Sequence, residues 1–319
     1  LSNSRRVPWK YVFSWIDTYK TVNDKFDPYT VSERICNLSI ILMLDKPSIE
    51  EVVKLKTIIL KDAFFLSNNL EFYGEIYTNN HILNNSRALI FAGSIIKNEE
   101  IFRLGINILK NQFDKHISKD GVLREGSSHY QLIVTRWMVE ILVILKNKNI
   151  KNFNYFKPRI DHMINVCRAM SVENKSYLPL IGDVSPDSPP NWLFGIAETY
   201  KILIKKYPKN KVNNYSGGNY WTSLFGIKLK NIKTNQSSKG WKSSNNEWVN
   251  LKVKQWNILC HSDTRIIDMR VNHGHSDDFS FDLSHNGFPV IVDPGRKNYH
   301  SFLSNKKSAL LDKFHNSVL

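Results

Sequence analysis

Cysteine is nearly absent: three residues in 319, Cys36, Cys167 and Cys260, with no CxxC pair. That excludes a disulfide framework and a cysteine metal site, and each thiol reads as a small buried hydrophobe. Long apolar runs are missing too. The longest, around Leu38 to Leu44, stops at Asp45, well short of the ~18 residues of a membrane span. No glycine-rich phosphate loop and no βαβ alternation appear, so nucleotide-dependent chemistry has no platform. Acidic residues are outnumbered, 29 Asp+Glu against 44 Lys+Arg, leaving a charge of +15. Such a charge describes partners rather than fold. Nucleic acid, an anionic lipid surface and an acidic polysaccharide all fit it, and so does compositional drift in a chain rich in Lys, Asn and Ile. A signal-peptide apolar region is also missing. The chain opens at Leu1 rather than Met and stops at His315-Asn-Ser-Val-Leu, in mid-strand by pattern, so a fragment of a longer protein is expected.

What is present is a 42% hydrophobic chain, enough for one large domain or two smaller ones. Apolar periodicity predicts helices over roughly 8–21, 30–45, 48–70, 80–96, 98–117, 128–147, 152–171 and 190–207. Ser48 with Glu51 has the spacing of a capping box, and Pro189-Pro190 precedes the last helix. Helical hairpins without intervening strands suit a bundle, a solenoid or a toroid. Between Tyr207 and Tyr220 the chain turns polar, basic and Gly-terminated, which marks a linker. Short alternating segments then predict antiparallel strands over 248–253, 256–261, 265–271, 279–283 and 289–292, with a turn at His285-Asn286-Gly287. The expected architecture is a helical domain over 1–212 followed by an antiparallel β domain over 213–319.

Three stretches carry chemistry. The first runs from Val271 to Gly295. His273 and His275 lie two apart, so in a strand they share a face. Phe279, Phe281 and Leu283 alternate as a core face, and the hairpin returns Asp293 toward His275. Two imidazoles and a carboxylate at one hairpin mouth suit a zinc site or an acid–base site, while two exposed edge histidines and a turn aspartate are the plain alternative. The later His315 favours chemistry. The second stretch, Glu125-Gly-Ser-Ser-His129-Tyr130-Gln131, opens a helix where the dipole helps hold an anion. Tyr130 there is either a proton-transfer group or a packing residue. The third is Asn79-Asn80-His81 at another helix start, either a simple Asn cap or an amide aimed at a carboxylate with a histidine beside it.

In order and spacing these stretches resemble the heparinase II/III-like polysaccharide lyases and related alginate lyases. The resemblance spans about residues 79 to 317 and ends on Phe-His-Asn-Ser-Val. It implies an incomplete (α/α) toroid followed by an antiparallel β-sandwich, truncated at its C-terminus here. It also implies β-elimination on a uronic-acid polysaccharide and a periplasmic or extracellular location. Position by position, Asn80 resembles the carboxylate neutraliser and His81 a candidate base. Tyr130 resembles the general acid, or acid and base together, and His273 the active-site histidine. His129, Gln131 and Tyr299 fall where substrate contacts are implied, with His129 orienting Tyr130. His275, Asp293 and His315 resemble the ligands of a structural divalent metal, commonly zinc. Asp277 and Asp278 fit solvation or turn capping. A non-catalytic polysaccharide-binding protein of the same fold is the alternative, and no nucleic-acid module is recognisable.

Overall fold

Ser48 begins its helix in the way its spacing to Glu51 predicts: Ser48 Oγ accepts from the Glu51 N–H, and Glu51 Oε2 accepts from the Ser48 N–H at 2.7 Å. The computed structural model describes residues 9–19, 27–44, 47–148, 152–171, 178–185, 240–245, 247–262, 273–275 and 279–293. Within them, the helices are α1 (Trp9–Tyr19), α2 (Pro28–Leu44), α3 (Ile49–Asn68), α4 (Gly74–Tyr77), α5 (His81–Ile96), α6 (Glu99–His116), α7 (Ser128–Asn147) and α8 (Asn152–Met170). Strands follow: β1 (Trp241–Lys242), β2 (Trp248–Val253), β3 (Trp256–His261), β4 (Ser280–His285) and β5 (Phe288–Ile291). Short α4 and two-residue β1 were not anticipated. The expected helix over 190–207, the strand over 265–271 and the boundary at 212/213 lie outside the described residues.

The chain divides into two compact units. One comprises Leu1–Phe72 and Asn80–Gln112; the other comprises Tyr73–Asn79 and Phe113–Leu319. Helices α7 and α8 thus group with the strands rather than with the earlier helices.

In the first unit α5 packs on α2 and α3. Its residues Ile82 to Gly93 are all buried, so this helix has no solvent face. Glycine makes that possible. A Cβ at Gly93 would come 2.5 Å from the Phe102 backbone nitrogen, and one at Gly105 would come 2.9 Å from the Ile90 backbone nitrogen. Arg34 joins α2 to α3 by donating to both oxygens of Asp62, at 2.7 and 2.8 Å, and Arg87 reaches Glu33 and Asn84, each at 2.8 Å. These buried charges are paired, as burial requires.

In the second unit α7 packs on α8, with Trp137, Met138, Ile141 and Leu142 fully buried. Phe113 meets Phe156 edge-on at 5.2 Å. The five strands form an antiparallel meander in the order β1-β2-β3-β4-β5. Asn286 (φ 51) and Gly287 (φ 79) are the two left-handed residues that a tight hairpin turn requires, and they join β4 to β5.

The expectation for β4 needs correction. Phe281 and Leu283 are only half-buried and Phe279 is 62% exposed, whereas Ser280, Asp282 and Ser284 are buried. The register explains it. Ser280 pairs His261, Asp282 pairs Leu259 and Ser284 pairs Asn257, while Trp248 and Asn250 continue the same face on β2. This polar face lies inward, where Asn250 donates to the Ala169 carbonyl at the end of α8. Hydrophobic alternation therefore points to the half-covered face.

Candidate active site

Two glycines let three backbone segments of the second unit converge. Gly126 (φ 66) and Gly182 (φ 77) both hold left-handed conformations. A Cβ at Gly182 would lie 2.5 Å from the Gly126 oxygen and 2.9 Å from the His273 oxygen. The start of α7 pins the stretch around Gly182. Ser127 is its N-cap, accepting from the Tyr130 N–H at 3.1 Å and donating through Oγ to the Asp183 carbonyl at 2.7 Å. Ser128 Oγ donates to the Pro179 carbonyl at 2.5 Å and accepts from the Ile181 N–H at 3.1 Å. The Asp183 N–H donates to the His273 carbonyl at 3.0 Å, which brings the His-Gly-His stretch onto the same scaffold.

The side chains that meet there are Tyr130, His273, His275, Asp183 and Glu125. Tyr130 and His273 stack face to face, ring centroids 3.6 Å apart at 16°. Asp183 Oδ2 lies 3.0 Å from His273 Nδ1, and its Oδ1 lies 2.7 Å from His275 Nε2. Glu125 Oε2 stands 3.8 Å from His273 Nε2. Glu125, Asp183 and His275 are buried, and His273 is 8% exposed. Burial pushes the Asp183 carboxyl up, yet the hydrogen bonds from His273 and His275, with their charge, outweigh it and hold the group well below the usual carboxylate range. His129 is buried, accepts the Ser185 N–H on Nδ1 at 3.0 Å and meets Tyr130 edge-on. Gln131 is also buried. Its amide takes the Leu123 N–H at 2.7 Å and donates to the Gly121 carbonyl at 3.0 Å, so it braces the turn before the helix.

Asn80 and His81 belong to the first unit. Asn80 occupies the N-cap position of α5, but its side chain makes no capping hydrogen bond. Its carbonyl alone does that work, accepting from the N–H groups of Leu83 and Asn84. The simple cap reading therefore does not describe this side chain, which is buried. His81 Nδ1 lies 2.8 Å from Glu71 Oε1, and Asn85 Nδ2 donates to Glu71 Oε2 at 3.0 Å. The Tyr29 ring lies 4.6 Å from the imidazole.

Of the metal ligands expected, His275 and Asp293 are both buried, an imidazole and a carboxylate of the kind zinc accepts. His315 and the expected substrate residue Tyr299 lie outside the described residues. Among the described residues no three His, Cys, Asp or Glu side chains form a metal-binding group.

The profile described as heparinase II/III N-terminus matches residues 27–215. The chain belongs to the heparinase II/III family. Solved structures agree on the fold. A heparinase III matches with a TM-score of 0.65 at 19% identity, over 91% of this chain and 48% of that one. A heparan sulfate lyase, HepC from Pedobacter heparinus, matches with a TM-score of 0.59 at 16% identity, over 96% and 48%. A heparinase III with methylated lysines matches with a TM-score of 0.59 at 17% identity, over 98% and 48%. This chain thus spans about half the length of the solved structures it resembles. No curated protein sequence matches it.

Sequence reasoning missed two carboxylates in this heparinase II/III-family chain, Asp183 and Glu71. Asp183 had a visible signal: the apolar run Leu178-Pro-Leu-Ile181 enters Gly182-Asp183 much as Val290-Ile-Val292 enters Asp293. Glu71 had none, since it is 10 residues from His81 in an irregular stretch.

Proposed function

We propose that the chain is the catalytic part of a polysaccharide lyase that cleaves a uronic-acid polymer by β-elimination. The observation that carries this reading is the stack of Tyr130 on His273 against a buried carboxylate. It supports a phenol and an imidazole acting on one bound sugar. In the reaction the bond from C5 to its hydrogen breaks and its electron pair forms the C4–C5 double bond. The bond from C4 to the linking oxygen breaks, and that oxygen takes up a proton. The C5 hydrogen is only weakly acidic until the neighbouring carboxylate is neutralised, so donors at the carboxylate stabilise the charge that develops. Asn80 is the amide proposed for that role, and His273 is a proposed imidazole donor. Tyr130 gives its proton to the departing oxygen and, in a syn elimination, first removes the C5 proton. His81, held by Glu71, is the alternative base.

The family likeness supports an incomplete (α/α) toroid for the helices and a sandwich for the sheet, and a periplasmic or extracellular setting. No described helix is long and apolar enough to cross a membrane. His275, Asp293 and His315 would hold a zinc ion, which when bound would cross-link the strands around the His-Gly-His stretch. The charge of +15 favours encounter with an acidic polymer.

The test is absorbance. Each cleavage leaves an unsaturated uronic acid, which absorbs in the near ultraviolet, so the protein is incubated with heparan-type, chondroitin-type and alginate-type polymers. A steady rise with at least one of them is expected. Binding of such polymers without any rise would leave a non-catalytic binding protein in its place.

A further inference from the structure

One carboxylate, Asp183, receives both histidines of the His-Gly-His stretch, on different ring nitrogens and on different oxygens. A carboxylate can only accept. The nitrogens facing it must therefore both carry hydrogen: Nδ1 of His273, 3.0 Å from Oδ2, and Nε2 of His275, 2.7 Å from Oδ1. We infer that Asp183 is a positioning residue that imposes opposite tautomers on His273 and His275. In the neutral rings this leaves the deprotonated nitrogen at Nε2 on His273 and at Nδ1 on His275. Asp183 thereby decides which edge of each imidazole is available for chemistry.

The surroundings make the clamp rigid. Its backbone carbonyl is held by Ser127 Oγ at 2.7 Å, and its N–H is held by the His273 carbonyl at 3.0 Å. A side chain added at Gly182 would meet backbone on two sides. His273 is further fixed by the Tyr130 ring 3.6 Å away, and its Nε2 edge turns to Glu125 at 3.8 Å. For His275 the arrangement is the one in which a carboxylate orients an imidazole whose other nitrogen faces a metal. The same aspartate thus ties the histidine proposed for catalysis to the histidine proposed for the metal, so a change at either ring is felt at the other.

The proposal deepens the lyase reading and rests on it for its kinetic half only. The experiment uses protein labelled with ¹⁵N in histidine, at about pH 8. Long-range ¹H–¹⁵N correlations report the tautomer of each ring, with His273→Gln and His275→Gln giving the assignments. The expected wild-type result is hydrogen on Nδ1 of His273 and on Nε2 of His275. Any other combination overturns the proposal, whatever the protein does to polysaccharide. Asp183→Asn then offers one accepting and one donating face, so at least one ring must change tautomer. Loss of a tautomer-fixing carboxylate costs up to about 10⁴-fold in kcat in hydrolase triads. Here a fall of kcat by at least roughly 10²-fold is expected with KM within about threefold, and Asp183→Glu should recover part of it. An Asn variant that keeps both tautomers and wild-type kcat overturns the positioning role. If that variant does not fold, the wild-type spectrum decides alone. A wild-type protein that cleaves no polymer would remove the lyase reading while the spectrum still decides the clamp.

Discussion

His116 ends α6 fully enclosed, and neither of its ring nitrogens has a hydrogen-bond partner among the described residues. Burial, with the positive charges of Arg124 and Lys115, pushes its pKa from 6.5 down to about 3. The folded state thus holds the ring neutral, while the unfolded chain takes up a proton below about 6.5. The contribution of His116 to stability should be level above that pH and fall as pH drops toward about 3, by up to ~1.4 kcal/mol per pH unit. Urea unfolding of His116→Gln should show a shallower acid limb; an unchanged limb would remove His116 as its cause. Tyr130 and Asn80 belong to the same scale. Tyr130→Phe deletes one hydroxyl and keeps the stack on His273, so folding and polymer affinity should persist while turnover falls ~10²–10⁴-fold. Activity within a few-fold of wild type would sink the acid role. Asn80→Ala separates two roles. A capping side chain would cost about 0.5–2 kcal/mol of stability, whereas an amide acting on the developing charge would lower kcat instead. Because Asn80 makes no side-chain cap bond, the kinetic effect should dominate when melting and turnover are read on one sample.

At the scale of elements, the loop before α7 and the stretch through Gly182 behave as one piece. Gly182→Ala should cost about 1–3 kcal/mol, because it strains a positive φ and drives a methyl into the Gly126 and His273 carbonyls. It should also displace Asp183 and reduce turnover per folded molecule. Gly74 is the control, with φ 84 but nothing within 4 Å of an added Cβ, so Gly74→Ala should lose a little stability and no activity. Equal effects of the two substitutions in urea melts and turnover would show that backbone strain alone matters at Gly182. The strands carry a different lesson. β2, β3 and β4 read correctly as strands, and two of the expected spans, 248–253 and 256–261, match the structure at both ends. The inner face of β4 was misread, because alternation identifies two faces without saying which is covered. In this sheet the polar face holding Asn257, His261 and Asp282 is the buried one.

At the scale of the whole molecule, the proposed ion should couple stability to activity. Chelation should lower both the melting temperature and the activity, since an ion bound only by the folded state stabilises it by mass action. His275→Ala should mimic chelation, and His273→Ala should abolish activity while retaining the metal. Elemental analysis of wild type and both variants checks this. A wild-type protein without stoichiometric metal, or metal lost with His273 and kept without His275, reverses the division of labour.

Helix positions, the Ser48–Glu51 box and the Asn286-Gly287 turn were legible in the sequence, because each depends on residues a few positions apart, and the family likeness was legible in the order of its motifs along the chain. Spacing also nominated Tyr130, His273 and His275. What it did not contain was the carboxylate between the two imidazoles, 90 and 92 residues away in the chain. That pairing exists only once Gly126 and Gly182 let their backbones cross. The direction of the sheet was likewise a tertiary decision: a strand pattern records alternation, and only the contacts the sheet makes in the folded unit determined which side would lose its water.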